Sequence, residues 1–227
     1  MKVNIRQYIG ESAGFFALFA LALFPSAGTL RWAAGWIFLL LFFGFYLTVT
    51  LWLYRHDPGL LQERTRLSTS DQQSPDRILF PLMEFSFIAW MVFMSLDAVR
   101  FHWSALPLWL QGVGALVLLG SFSLLFLTFR ENSYLSPVVR IQDERGHAVV
   151  STGPYRYVRH PMYLAILVFI VGASLLLGSA HGLFFVLLCA AMLAYRAVLE
   201  EHTLQADLPA YAGYKAKVKY RLIPYVW

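Results

Sequence analysis

The sequence predicts an all-α membrane protein: a polytopic helical bundle of about six transmembrane helices that ends in a helical hairpin. Hydrophobic residues make up 59% of the 227 residues and charged residues only 14%, whereas a soluble domain carries about 25% charged residues. Several uncharged stretches approach the roughly 20 residues that a helix needs to cross the hydrocarbon core. A long polar loop and a polar C-terminal tail flank the last two stretches.

Four candidate spans come before the long loop. They cover about residues 12–28, 32–54, 78–96 and 107–129. The first span follows a positively charged segment, as the apolar part of a signal peptide does, but no clear small-x-small cleavage site precedes the second span. We therefore expect the first span to be retained. The segment 55–77 is polar, and residues 97–106 are expected to form a short loop.

The last two spans are predicted to form a hairpin. Residues 161–178 and 183–195 carry no charge, and a short polar or small segment separates them. This pattern is typical of two antiparallel helices joined by a tight turn inside a membrane. Pro161 can begin the first of them, because a first-turn N–H has no intrahelical partner to lose.

The register of this hairpin brings the polar residues of both arms to one level. His160 and Glu200 are equally far from the turn, and Tyr163 and Arg196 nearly so. Arg196 lies about 24 Å from the turn, short of a hydrocarbon core of about 30 Å. Because charges at that depth are costly, they usually line a site. The alternative is a helix end at which Arg196 snorkels and pairs with Glu200.

Basic residues are distributed unevenly between the two sides of the predicted membrane. Of the 18 Lys and Arg residues, 16 fall on the side that six spans assign to both termini and both long loops. Only Arg31 and Arg100 fall on the other side. Since positive residues gather in the cytoplasm, the termini and the long loops are expected to be cytoplasmic.

Composition argues against several kinds of partner. The basic residues that give the net charge of +5 are distributed as the predicted membrane topology requires, so nucleic acid is not an expected partner. Cys189 is the single cysteine, which excludes a disulfide within the chain and makes a thiolate metal site unexpected. The six histidines show no metal-ligand spacing, so we expect no metal.

Three polar features outside the hairpin have two interpretations each. Glu84 in the third span is either a site residue or a group that snorkels or pairs with Arg77. The loop 130–160 is either functional, given its length, or a solvated basic loop. The aromatic and lysine-rich tail is better explained by contact with anionic lipid than as a cover folded back on the site.

Three groups of residues resemble the isoprenylcysteine carboxyl methyltransferase and phospholipid methyltransferase families. They are Gly153-Pro154-Tyr155 with Arg159 to Tyr163, Glu200-Glu201 followed by Leu204, and Tyr211, Tyr214, Val218, Ile223 and Pro224. The resemblance covers roughly residues 140–227, and the first four spans carry no matching motif. We therefore expect N-terminal transmembrane helices in residues 1–130 and a methyltransferase core in residues 131–227.

The resemblance implies that S-adenosyl-L-methionine binds at the cytoplasmic ends of the last helices, with S-adenosyl-L-homocysteine as the product. Arg196 matches the position that holds the acceptor's carboxylate, and Arg196 and Glu200 are the expected catalytic residues. Two positions depart from the family pattern: Ala165 stands where a glycine is common, and Leu208-Pro209 stands where Phe-Gly is common. These departures leave the acceptor class open. The cofactor-binding residues that the resemblance implies are Gln142, His147, Ala148, Val149, Val150, Tyr155, His160, Pro161, Met162, Tyr163, Glu200 and Glu201.

The expected chemistry is methyl transfer to a lipophilic acceptor that reaches the site from the membrane lipid. A sulfonium methyl is already electrophilic, so the enzyme mainly has to align the acceptor with it. A carboxylate needs a cation to orient it, which Arg196 can do bidentately, whereas an amine needs a base such as Glu200 or Glu201. Arg196 favours a carboxylate of the isoprenylcysteine type, and a phospholipid or small-lipid amine is the first alternative.

Two other functions remain open. A sterol-reductase-like enzyme has a similar C-terminal region and uses NADPH, but the Glu200-Glu201 pair suits a dinucleotide phosphate poorly. A non-enzymatic transporter or assembly protein is less favoured, because transporters usually show two related halves and none is visible in this sequence. The oligomeric state is not determined by the sequence.

Overall fold

The computed structural model describes residues 5–65 and 72–227. Across these two ranges the chain forms eight α-helices and no strand, as the composition predicts. Three 3₁₀ turns, at Asp143–Arg145, Gly153–Arg156 and His181–Phe184, and one π-helical turn, at Leu96–Arg100, accompany them. The helices are α1 (Ile5–Ala27), α2 (Ala33–His56), α3 (Pro58–Arg64), α4 (Asp76–Ser95), α5 (Leu108–Glu131), α6 (Pro161–Leu176), α7 (Phe185–Asp207) and α8 (Ala210–Lys217).

Four helical segments are long and apolar enough to cross a membrane. They are Ala33–His56, Asp76–Arg100, Leu108–Glu131 and His181–Asp207. Ser12–Ala27 and Pro161–Leu176 are shorter apolar helices. All six predicted hydrophobic segments are therefore helical and a multi-pass membrane protein is confirmed, while the number of six spans stays a prediction.

Aromatic rings form the centre of the bundle. Phe169 of α6 faces the rings of Phe42, Phe122 and Trp90 at centroid distances of 5.9, 6.1 and 6.4 Å. These separations lie in the range that aromatic pairs prefer. Because the three partners belong to α2, α5 and α4, this one side chain fixes the hairpin against the N-terminal helices.

The first arm of the hairpin packs along α5 through two glycines. A Cβ atom on Gly114 would lie 2.3 Å from the backbone nitrogen of Leu176. One on Gly172 would lie 2.6 Å from the backbone nitrogen of Leu118. A side chain at either position would force the helices apart, so the close approach of α5 and α6 depends on glycine.

The end of α4 differs from the prediction. The segment 97–106 was expected to be a loop, but a π-helical turn at Leu96–Arg100 continues α4 into it. The carbonyl oxygen of Asp97 accepts a hydrogen bond from the Trp103 N–H at 2.9 Å, which folds the following residues back on the turn. This backbone contact replaces the free loop that the polar composition indicates.

The side chain of Asp97 joins three parts of the fold at this end of the bundle. Its carboxylate is fully buried and accepts hydrogen bonds from the hydroxyls of Ser104 at 2.6 Å and Ser179 at 2.5 Å. Its second oxygen lies 2.9 Å from Nδ1 of His181. The end of α4, the connection to α5 and the turn between α6 and α7 therefore share one buried acceptor.

Replacement of Asp97 by alanine is expected to destabilise the protein. Two hydroxyls and an imidazole would lose their buried acceptor, which costs about 3 kcal/mol of unfolding free energy. For a chain of this size we expect the melting temperature of the detergent-purified protein to fall by roughly 6–12 °C. Asp207→Ala removes an exposed carboxylate as a control. Equal melting temperatures for the two variants would contradict this role of Asp97.

Candidate active site

A cavity opens at the end of the bundle opposite the Asp97 contacts. It is bounded by the loop that follows α5, the start of α6, the last turns of α7, and α8. The space between these walls, together with open solvent at its mouth, is about 860 Å³. The predicted residues that line it are His147, Ala148, Val149, Val150, Tyr155, His160, Pro161, Met162, Tyr163, Arg196 and Glu200.

Glu200 lies where the two arms of the hairpin meet. Its Oε2 atom accepts a 2.7 Å hydrogen bond from the Tyr163 hydroxyl and lies 3.5 Å from Nδ1 of His160. The predicted register, which places these residues at one level, is therefore confirmed. Oε1 of Glu200 forms no hydrogen bond with any residue that the structure describes, so it is available to a ligand.

The imidazole of His160 is held between two carboxylates. Its Nε2 atom lies 3.3 Å from Oε1 of Glu201, and its ring stacks on Tyr163 at a centroid distance of 5.2 Å. Burial alone would lower the pKa of His160, but the hydrogen bonds and charges of Glu200 and Glu201 raise it above its ordinary value. A protonated His160 is thus favoured, and it offsets the charge of the adjacent carboxylates.

Two of the predicted cofactor residues lie outside the cavity lining. Glu201 is 2% exposed and accepts a 2.7 Å hydrogen bond from Nε of Arg159. Gln142 is fully buried; its Nε2 donates to the Tyr134 carbonyl at 2.7 Å, and its Oε1 accepts from Nη1 of Arg145 at 2.6 Å. In this arrangement both side chains hold residues of the cavity wall in place and do not face the cavity.

The segment that follows His147 carries backbone N–H groups that have no partner among the described residues. No hydrogen bond joins the N–H groups of Ala148, Val149 and Val150 to any residue in the described ranges. The ring of His147 stacks on Tyr134 at 4.5 Å, and burial lowers the pKa of His147, which favours the neutral imidazole. The backbone of residues 148–150 is therefore available to bind the edge of a ligand.

The C-terminal tail covers the cavity. Tyr211 and Tyr214 are buried in its lining, and the Tyr214 hydroxyl donates to the Tyr155 carbonyl at 2.8 Å. Further along, the Arg159 N–H donates to the Tyr220 carbonyl at 2.9 Å. The interpretation of the tail as a segment lying on lipid is therefore wrong for these tyrosines, because backbone hydrogen bonds draw the tail onto the loop before α6.

Arg196 lines the cavity, but a carboxylate already holds it. Its Nε and Nη2 atoms lie 2.9 and 3.4 Å from the two carboxylate oxygens of Asp76 on α4, and Nη2 also donates to the Pro137 carbonyl. The interpretation in which Arg196 pairs with Glu200 is wrong. A bidentate grip on an acceptor is not available while this pair is intact, since only Nη1 forms no hydrogen bond within the described ranges.

Sequence reasoning missed the carboxylates that fix these arginines. Asp76 is fully buried and also accepts a 2.9 Å hydrogen bond from the Val139 N–H. Glu63 on α3 binds Nε and Nη2 of Arg140 at 2.9 Å each. An acidic residue in the first turn of a helix normally offsets the helix dipole, so Asp76 gave no particular signal. The polar segment 55–77 between two spans is the feature of the sequence that could have pointed to these carboxylates.

Glu84 lies away from the cavity lining. Its side chain is exposed on α4, and among the described residues no ion pair or hydrogen bond joins it to another group. The predicted pair with Arg77 is therefore absent. The site role that the sequence allows for Glu84 stays a prediction.

Comparison with known proteins finds a family match in the segment that contains most of the cavity lining. The profile of the isoprenylcysteine carboxyl methyltransferase (ICMT) family matches residues 112–206. The chain is also 35% identical over 106 residues to the Delta(14)-sterol reductase TM7SF2 of Mus musculus. That match covers 44% of this chain, which spans only 25% of the reductase.

A solved structure shares the whole fold. The structure of the eukaryotic intramembrane Ras methyltransferase ICMT (isoprenylcysteine carboxyl methyltransferase) matches with a TM-score of 0.50. The two chains are 16% identical, and the match covers 100% of this chain and 88% of the other. At this identity the likeness concerns the fold alone, and it extends to the N-terminal helices that the profile does not reach. The resemblance predicted from the motifs is confirmed for residues 112–206, which match the isoprenylcysteine carboxyl methyltransferase family.

Proposed function

We propose that the chain is an S-adenosyl-L-methionine-dependent methyltransferase that acts on a lipophilic acceptor, with a carboxylate as the preferred acceptor group. The observation that carries this proposal is Glu200, which faces the cavity with one free oxygen while Tyr163 and His160 fix the other. The family match supports methyl transfer. The basic residues around the cavity support a cytoplasmic site with both termini on the same side.

The donors and acceptors of the cavity fit the proposed cofactor. The unpaired N–H groups of Ala148, Val149 and Val150 suit the edge of an adenine ring. The free oxygen of Glu200 suits a ribose hydroxyl or an ammonium group. The Tyr211 hydroxyl is buried and has no hydrogen-bond partner among the described residues, which a bound molecule would supply. When bound, the cofactor supplies an electrophilic methyl group, and no further activation is required.

The acceptor would be held from the Arg196 side of the cavity. A carboxylate needs no base, so the task of the protein is to orient it. Nη1 of Arg196 can donate to one carboxylate oxygen, while Asp76 keeps the guanidinium plane fixed. For an amine acceptor Glu200 would have to accept a proton. Its hydrogen bond from Tyr163 and its contact with His160 stabilise its negative charge, which makes it a weaker base.

A reductase that uses NADPH is the second candidate, because part of the chain resembles a sterol reductase. The charges of the cavity lining argue against a reductase. The three arginines that line the cavity, Arg140, Arg159 and Arg196, are each paired with a carboxylate, whereas a dinucleotide phosphate needs uncompensated cations. Glu200 adds a further negative charge to the wall.

Ligand-induced stabilisation separates the two candidates. We expect S-adenosyl-L-homocysteine to raise the melting temperature of the detergent-purified protein, because a ligand that binds only the folded state stabilises it. NADPH at the same concentration should leave it unchanged. The reverse result would support the reductase. Transfer of labelled methyl groups into membrane extracts, followed by base, then identifies the acceptor: esters release methanol and methylamines do not.

Replacement of Glu200 by glutamine is expected to weaken cofactor binding. The loss of a charged hydrogen-bond acceptor costs about 1.5–3 kcal/mol, which corresponds to a roughly 10- to 150-fold higher dissociation constant for S-adenosyl-L-homocysteine. Isothermal titration calorimetry measures this constant. Asp207→Asn, which changes an exposed carboxylate outside the cavity lining, is the control. An unchanged constant in the Glu200 variant would remove Glu200 from the cofactor site.

Replacement of Arg196 by alanine is expected to abolish most methyl transfer while cofactor binding remains. The variant loses the group that orients the acceptor, and we expect turnover to fall about 100-fold or more. Turnover with labelled cofactor and binding of S-adenosyl-L-homocysteine are measured side by side. Arg156→Ala, at an exposed arginine, controls for the loss of a positive charge. If cofactor binding falls in parallel with turnover, Arg196 is not an acceptor residue.

A further inference from the structure

Asn132 lines the cavity together with Tyr155, although the sequence does not predict it as a site residue. It directly follows α5, and its backbone N–H donates to the Thr128 carbonyl at 3.1 Å. Its Nδ2 atom donates to the Tyr155 hydroxyl at 2.8 Å, and its Oδ1 atom accepts from the Tyr134 backbone N–H at 2.8 Å. Asn132 thus connects the end of a helix to a phenol of the site, 23 residues further along the chain.

The orientation of the Asn132 amide is fixed by the backbone. The Tyr134 N–H can only donate, so it requires the oxygen of the amide on its side. The NH₂ group must then face Tyr155, because exchanging the two ends of the amide would set two donors against each other. Asn132 is therefore a donor to Tyr155, and the Tyr155 oxygen is the acceptor.

The hydroxyl proton of Tyr155 has no acceptor among the described residues. An amide nitrogen cannot accept a hydrogen bond, and the bond from Asn132 is the one that this hydroxyl forms within the described ranges. Burial raises the pKa of Tyr155, against the smaller effect of the Asn132 hydrogen bond, so the phenol keeps its proton. Because Tyr155 is buried and lines the cavity, a bound molecule would supply the missing acceptor.

The position of the Tyr155 ring does not depend on Asn132 alone. The Tyr155 N–H donates to the Thr152 carbonyl at 3.0 Å, and its carbonyl accepts from the Tyr214 hydroxyl at 2.8 Å. Its side chain also belongs to a buried cluster that includes Tyr211. A conservative change at Asn132 is thus expected to turn the O–H bond of Tyr155 and to leave the ring in place.

We propose that Asn132 is a positioning residue, which fixes the Tyr155 hydroxyl as a hydrogen-bond donor to an acceptor atom of the bound cofactor. The inference rests on the proposed function and adds the direction of one hydrogen bond to it. Without Asn132 the hydroxyl could present either its proton or a lone pair to the ligand. With Asn132 on one side of the oxygen, the proton is directed to the cavity.

Replacement of Asn132 by aspartate reverses this direction at nearly constant shape. One oxygen of the new carboxylate still accepts the Tyr134 N–H, and the other accepts the proton of Tyr155, so the ligand meets a lone pair. Dissociation constants for S-adenosyl-L-homocysteine are measured by calorimetry at pH 8, where a carboxyl with an ordinary pKa of about 3.9 is ionised. The variants are Asn132→Asp, Tyr155→Phe and the double variant. Gln205→Glu, at an exposed amide outside the cavity lining, is the control.

We expect Asn132→Asp and Tyr155→Phe each to raise the dissociation constant about tenfold. The double variant should bind as Tyr155→Phe does, since no hydroxyl is left to be turned. An effect of Asn132→Asp that is equally large in the Tyr155→Phe background overturns the proposal, because a purely structural or charge effect does not need the hydroxyl. Wild-type affinity in either single variant also overturns it.

A second variant keeps the test decisive if Asn132→Asp does not fold, which its melting temperature without ligand reports. Asn132→Ala leaves the Tyr155 hydroxyl free to turn. We expect it to weaken binding only about threefold, and again not at all in the Tyr155→Phe background. A loss that persists without the hydroxyl contradicts the positioning role.

The outcome for the wild type separates this inference from the proposed function. If the wild type binds no S-adenosyl-L-homocysteine, the methyltransferase proposal fails and the inference fails with it. If the wild type binds and the effect of Asn132→Asp does not depend on the Tyr155 hydroxyl, the role of Asn132 alone fails.

Discussion

The buried ion pair between Asp76 and Arg196 is the constraint on which the site depends. It joins the start of α4 to the middle of α7, two elements separated by 120 residues in the sequence. The same carboxylate also binds the backbone of the loop at Val139. A buried carboxylate without its arginine lowers the stability of the fold, but Asp76 also accepts hydrogen bonds from Gln72 and from the Val139 N–H. The pair therefore contributes to holding the three elements together and is not their sole connection.

Two further pairs repeat this arrangement around the cavity. Glu63 binds Arg140 of the loop, and Glu201 binds Arg159 before α6. In each case one partner belongs to a helix and the other to the polar segment between α5 and α6. The loop has few backbone hydrogen bonds of its own, and these charge-assisted contacts give it a defined conformation. Residues 1–130 thus contribute counter-ions to the expected methyltransferase core in residues 131–227, and that division stays a prediction.

The local features of the fold follow from the sequence, and the long-range polar contacts do not. Hydrophobic length and Pro161 predict the helices and the start of α6. The spacing around the turn predicts that His160, Tyr163 and Glu200 lie at one level, and the structure brings them into contact. Periodicity within one helix contains no information about a partner on a distant helix. For this reason Asp76 was overlooked, and the tail was placed on lipid although Tyr211 is buried in the cavity.

The cover formed by Tyr211 and Tyr214 also has a consequence for biosynthesis. These residues follow the six apolar helices that the structure describes, and they supply part of the cavity wall. Translation adds these residues after the helices, so this part of the wall is made later than the rest of the pocket. A chain that stopped before residue 211 would therefore hold an open groove in place of the covered cavity.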